Sequence, residues 1–199
     1  MSEPSHDLAG LIGSRICHDL VSPIGAIGNG LELLSLAARP DGPEMALISE
    51  SCASAQARIR FYRLAFGTGP GEQRIGVPEA RALAEGYLHG GRLALDWATG
   101  SDLSRQELQL GYLALLCFES AMPLGGTVRM GRAEDRWRLD GTAPRLRADP
   151  VLWDGLATPQ GPGCVTPASV QFALLALHAN GAQRAIDVEI TAERLCMRV

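Results

Sequence analysis

Between Leu11 and Leu34 the chain reads as one long amphipathic helix, and the rest of the sequence is organised around it. Ile16, Leu20, Ile24, Ile27, Leu31 and Leu34 recur at steps of 4, 4, 3, 4 and 3, an apolar seam at helical period. His18 lies two residues from both Ile16 and Leu20, about 200° around at about 100° per residue, so it points away from the seam. Its neighbours one turn away are Ser14 and Ser22, with Gly25 and Asn29 further along the same line. The imidazole is thus offered on a face cleared of bulk, open to close approach by another protein. A lone histidine is usually a surface group with satisfied hydrogen bonds. Here Asp19 follows directly, and Pro23 sits inside the helical pattern, where proline removes a backbone hydrogen bond at a cost of about 3 kcal/mol. Such a proline points to a kink that positions something.

His18-Asp19-Leu20-Val21-Ser22-Pro23 resembles the H-box of histidine kinase dimerisation domains, in which the histidine is phosphorylated. The longer run ICHDLVSPIGAIGNGLELL is similar to the ChpT-type bacterial histidine phosphotransferases. The resemblance implies that His18 is the phospho-acceptor.

With 199 residues the chain is long enough for one or two domains with a real core. Apolar residues make up 46% and charged residues 20%, an ordinary soluble balance. All 18 basic residues are arginine, which reads as a coding bias. A net charge of −4 argues against nucleic acid or an acidic membrane as partner. No apolar run reaches the roughly 18–20 residues needed to span a bilayer, and MSEPSHDLAG lacks the pattern of a signal peptide. The five cysteines are expected to be reduced, buried thiols in the cytoplasm. There is no CxxC or HxxxH pair to suggest a metal site, and adjacent Cys17 and His18 diverge too far on a helix to chelate well.

The first helix is expected to begin near Ser5, with Asp7 in its first turn, and to end around Ala37–Ala38 before the turn-forming Arg39-Pro40-Asp41-Gly42-Pro43. A second helix follows, in which Met45, Ile48, Cys52, Ala55, Ile59, Tyr62 and Phe66 keep an a/d heptad. The short connection makes the two helices antiparallel neighbours. One hairpin buries too little apolar area to stand alone, so two copies are expected to pair across a two-fold axis into a four-helix bundle. The other solution is packing of the hairpin on the chain's own second domain. The expected layout is a hairpin for dimerisation and phosphotransfer over 1–66, a linker over 67–73 and an α/β domain over 74–199.

In that second domain Pro78–His89 reads as a helix closed by Gly90-Gly91, and Arg92–Trp97 as a strand. Ser104-Arg105-Gln106-Glu107 is a capping box opening a helix that stops at Pro123. Thr127–Met130 and Arg136–Asp140 read as paired strands, and Thr166-Pro167 opens a helix ending at Asn180-Gly181. Ala185–Ile190 and Arg194–Val199 make a closing hairpin. The fold class is therefore α+β, a helical hairpin followed by a two-layer α/β sandwich.

This order resembles the ATP-binding domain of histidine kinases, with Gly125-Gly126-Thr127-Val128-Arg129 similar to the segment after that family's N-box. The kinase residues do not carry over. Cys117 stands where the kinases hold a magnesium-ligating Asn, and Ser120 where they hold a Lys. A thiol suits a hard cation poorly. Starting at Asp140, Thr142 and Pro144 replace the glycines of D-x-G-x-G, and Gly161-Pro162-Gly163-Cys164-Val165 keeps two of three loop glycines. No ATP binding and no cofactor are expected.

With no ATP, the resemblance implies a relay in which one receiver domain's phospho-aspartate charges His18 and a second receiver collects the group. Histidine suits this work because the unperturbed imidazole titrates near pH 6.5, leaving the neutral nucleophile near neutrality. The receiver would bring Mg²⁺ and its own basic residue. Asp19 either orients the imidazole or is a solvated charge. Ser14, Ser22, Gly25 and Asn29 should contact the receiver. Arg15 at their edge either pairs with a phosphate or acidic surface, or is solvated. The competing readings are an ATP-dependent histidine kinase core and a non-catalytic dimeric scaffold.

Overall fold

The computed structural model describes residues 7–37, 43–69, 73–133 and 135–199. Helix α1 (Leu8–Ala37) runs on through Pro23, and α2 (Pro43–Ala65) packs beside it. Asp7 precedes the first helical residue rather than sitting in the first turn. Its Oδ1 accepts from the Gly10 amide at 3.0 Å, an amide with no partner inside the helix. The expected start at Ser5, residues 39–42 of the connecting turn, and Pro70 and Gly71 of the linker lie outside the described residues. Pro23 has no amide to give the carbonyl of Asp19 four residues earlier, so the missing helical bond falls at His18's neighbour.

The two apolar seams each split into two lines. On α2, Ile48, Ala55 and Tyr62 are buried at seven-residue spacing, whereas Met45 and Ile59 are exposed and Cys52 between them is half-buried. On α1, Leu20, Ile27 and Leu34 are half-buried, while Ile24 and Leu31 are each 57% exposed. A lone pair of helices can cover only one line per helix. At Gly30 they come so close that a Cβ there would lie 2.5 Å from Ile48 Cγ1.

Beyond the linker come β1 (Arg74–Ile75), α3 (Val77–Leu88), β2 (Leu93–Trp97), β3 (Leu103–Ser104), α4 (Arg105–Ala121), β4 (Gly126–Ala133) and β5 (Arg136–Thr142). Then follow α5 (Pro150–Gly155), a 3₁₀ turn at Pro167–Ser169, α6 (Val170–Gly181), β6 (Asp187–Ile190) and β7 (Arg194–Arg198). The five-stranded sheet has the order β2-β4-β5-β7-β6, parallel only between β2 and β4. Val128, Met130, Trp137, Leu139, Leu195 and Met197 alternate inward into the core, with α4 packed against β4 and β5, and α6 packed against α4. Arg129, Arg138, Arg194 and Arg198 take the opposite face, which stays exposed. Trp137 Nε1 donates to the Glu107 carbonyl at 2.6 Å, and Gly111 makes room for that ring one turn on.

The Ser104–Glu107 capping box forms as expected, and so do the paired β4 and β5. Thr166-Pro167 opens a 3₁₀ turn first, with α6 starting three residues later at Val170. Helix α5 is an addition to the expected elements. Its signature is in the sequence, since Asp149 Oδ1 caps the Val151 amide at 3.0 Å and Pro150 takes the first turn.

Hairpin and α/β unit share one core. Phe61 stacks on Tyr87 of α3, ring centroids 4.2 Å apart, and on Tyr112 of α4 at 4.4 Å. Side chains of α4 also finish α2. Arg105 donates to the Arg63 carbonyl at 2.8 Å and Gln109 to that of Ala65 at 3.1 Å, both carbonyls in the unpaired last turn. The five cysteines are free thiols, but only Cys117 is buried. The expectation of buried thiols fails at Cys17, which falls on the exposed line of Ile24 and Leu31, and at exposed Cys164.

Candidate functional site

His18 leaves the middle of α1 with its side chain 85% exposed. Asp19, next in sequence, points roughly 100° away and is only 12% exposed. Its two oxygens have separate partners. Oδ1 faces His18 Nδ1 at 3.0 Å, and Oδ2 accepts from Arg15 Nε at 2.7 Å and from the Tyr62 hydroxyl. Arg15 spans one helical turn and also reaches the α/β unit, where its Nη1 donates to the Ala168 carbonyl at 2.9 Å. The Tyr62 hydroxyl lies 3.4 Å from that of Tyr87, which donates to Glu119 on α4 at 2.7 Å. A polar chain thus runs from His18 through the hairpin into the second unit.

The charges follow from this packing. Burial pushes the Asp19 carboxyl upward, but hydrogen bonds from Tyr62 and His18 and the Arg15 charge outweigh it, holding Asp19 below the usual carboxylate range. Burial alone would lower Arg15, yet the Asp19 charge raises it above its ordinary value. Burial and the bond to Asp19 push Tyr62 up to about 12, and burial beside Glu119 raises Tyr87 further. Asp19 is therefore an anion at neutral pH, able only to accept. A proton on Nδ1 of His18 would make it the donor in their contact and leave the lone pair on Nε2.

His18 opens onto a groove of about 520 Å³. Asp19, Ser22, Pro23 and Ala26 form one wall, and Leu47, Ser51, Ser54 and Arg58 of α2 the other. The His89-Gly90-Gly91 turn after α3 closes one end. Arg58 is held 5.6 Å over the Tyr87 ring, a cation resting on an aromatic face in the wall of the groove.

Ser14, Ser22, Gly25 and Asn29 are exposed on α1 with His18, and a Cβ at Gly25 would meet nothing within 4 Å. Arg15 differs. At 16% exposure, bound to Asp19 and to Ala168, it is turned toward its own chain. Asp19 likewise is a partnered, largely buried group rather than a solvated charge. Tyr62, Tyr87, Glu119, Arg58 and His89 were not legible as site residues. The one available signal was Tyr62, a hydroxyl on an otherwise apolar buried line, which must find a polar partner.

The positions matching kinase nucleotide residues do not converge. Cys117 is fully buried in α4, and burial pushes its thiol well up. Ser120 Oγ donates to the Cys117 carbonyl of its own helix at 2.8 Å. Asp140 takes the outward face of the sheet, bonded to Arg138 at 2.8 and 3.1 Å. Trp153 of α5 packs edge-on against Phe118 of α4 and Phe172 of α6, at 6.3 and 5.1 Å. Among the described residues no group of three or more His, Cys, Asp or Glu could hold a metal ion, and no helix is long and apolar enough to cross a membrane.

Residues 77–194 match the family model for the C-terminal domain of histidine phosphotransferases. Over 202 residues the chain is 35% identical to protein phosphotransferase ChpT of Brucella abortus (strain 2308), covering 94% of this chain and 92% of that protein. A solved bacterial phosphotransferase matches with a TM-score of 0.80 at 32% identity, covering 100% of this chain and 98% of the other. The chain therefore belongs to the ChpT-type histidine phosphotransferases.

Proposed function

We propose that this chain is the homodimeric phosphoryl carrier of a bacterial phosphorelay. His18 takes the group from an aspartate of one receiver domain and hands it to that of another, with no ATP consumed. The observation that carries the proposal is His18 itself, 85% exposed at the mouth of a groove with Nδ1 engaged by ionised Asp19. Nε2 is left as the nucleophile. In the forward step its lone pair forms a bond to phosphorus as the acyl-phosphate O–P bond breaks, and the electron pair departs with the receiver's carboxylate. Asp19 then faces the positive ring of the phosphoimidazole. Phosphoryl transfer needs chiefly in-line positioning and charge neutralisation, so a chain with few catalytic groups suffices when the receiver brings Mg²⁺. Arg58 in the groove wall is a cation to hand for the phosphoryl oxygens.

The homodimer is supported by the split seams. Ile24 and Leu31 of α1 and Met45 and Ile59 of α2 form the lines that the hairpin leaves uncovered, and a second copy would cover them in a four-helix bundle. Both His18 residues would then face outward toward receivers. Ser14, Ser22, Gly25 and Asn29 would make the receiver contact, while Arg15 would act from behind through Asp19. The absence of autokinase activity is supported by the scattering of Cys117, Ser120 and Asp140 and by the Phe118–Trp153–Phe172 packing. The test is incubation of the purified chain with receiver domains charged on aspartate. Transfer to wild type but not to His18→Ala is expected, and equal transfer to both would overturn the proposal.

A further inference from the structure

We infer that Tyr62 and Arg15 are positioning residues for the transfer. They occupy one oxygen of Asp19 so that the other holds the proton on His18 Nδ1 and leaves Nε2 free to accept. This rests on the proposal that His18 carries the phosphoryl group.

A carboxylate beside a histidine does not by itself choose the tautomer. It is free to rotate about its last torsion, and water competes for both oxygens. Here that freedom is removed. Oδ2 of Asp19 receives Arg15 Nε at 2.7 Å and the Tyr62 hydroxyl, which leaves Oδ1 at 3.0 Å from Nδ1. Both anchors are themselves fixed from the α/β unit. Arg15 is held by the Ala168 carbonyl of the Pro167–Ser169 turn at 2.9 Å. The Tyr62 ring stacks on Phe66 at 5.1 Å and stands edge-on to Tyr87 at 5.5 Å, and its hydroxyl abuts that of Tyr87, which is tied to Glu119. Four elements thus converge on one carboxylate.

The convergence gives the C-terminal unit a task that needs no nucleotide. In the charged state the phosphoimidazole ring is positive, with Nδ1 still protonated, and the fixed Asp19 anion lies against it. When the next receiver attacks, the N–P bond breaks, its electron pair returns to Nε2, and the proton on Nδ1 stays with the ring.

The experiment uses the full chain, ¹⁵N-labelled at histidine, with the His18 signal assigned by comparison with His18→Ala. Wild type should show the proton predominantly on Nδ1. Tyr62→Phe keeps the ring and its stacking, and should move His18 toward the Nε2–H tautomer. Its single-turnover transfer from a charged receiver should fall roughly 10- to 100-fold at saturation, while the half-saturating receiver concentration changes less than about twofold. Near-ultraviolet dichroism checks that the fold is intact. An Nε2–H tautomer in wild type overturns the inference even if the variant fails to fold. So does an unchanged saturating rate in Tyr62→Phe, or a loss confined to the half-saturating concentration, which would mark a docking role. If wild type takes up no phosphoryl group at residue 18, the proposed function fails instead.

Discussion

Phe61 of α2 and Tyr87 of α3 stack with ring centroids 4.2 Å apart and planes 17° from parallel, joining the hairpin to the α/β unit inside one core. Phe61 is fully buried, so Phe61→Ala should destabilise the full chain by about 3–5 kcal/mol. Urea unfolding followed by near- and far-ultraviolet dichroism checks this. Because the core is shared, both probes should move together in a single transition rather than reporting the hairpin and the sheet separately.

Leu31 belongs to the exposed line on α1, far enough along the helix from His18 to leave the groove intact. Leu31→Arg should convert the dimer to a monomer by light scattering, with little change in helical content. The proposed bundle is wrong if the wild-type chain is itself monomeric at tens of micromolar.

Gly30 packs where any side chain would strike Ile48, and the backbone carbonyl of Glu44 lies 3.5 Å from the same point. Gly30→Val should therefore cost about 1–3 kcal/mol by overpacking, and Gly30→Val with Ile48→Ala should recover part of it. A thermal melt of the three proteins reads this coupling.

Stability should decline in acid through Asp19. Its folded pKa is held below the unfolded value near 4, so the unfolded chain binds more protons between the two. The contribution is complete above the unfolded value and drains away as pH falls through the folded one. Asp19→Asn should be less stable than wild type at pH 7 and should show a shallower loss between about pH 5 and 2. Denaturant midpoints across that range are the measurement.

How much of this was legible in the sequence depended on whether the cause was local. Helical period, the Ser104–Glu107 cap and strand alternation are set by neighbours in sequence, and those elements appear where expected. The α2 heptad was visible, but not which of its lines is buried, since that is decided by Phe61 and Tyr62 meeting Tyr87 some 25 residues away. Similarly, Arg15 looked like an edge residue because its second partner, Ala168, is 153 positions distant. The exposed His18 followed from helix geometry alone, whereas the Tyr62–Tyr87–Glu119 chain behind it required the fold.

The central claim is that residue 18 carries a phosphoryl group it did not obtain from ATP. The most direct measurement is phosphate mapping by mass spectrometry at neutral pH, with the chain offered either Mg·ATP or a receiver domain charged on its aspartate. We predict acid-labile phosphate on His18 with the charged receiver and none with Mg·ATP. Phosphate at His18 from Mg·ATP alone, or receiver-derived phosphate at any other residue, would contradict this account.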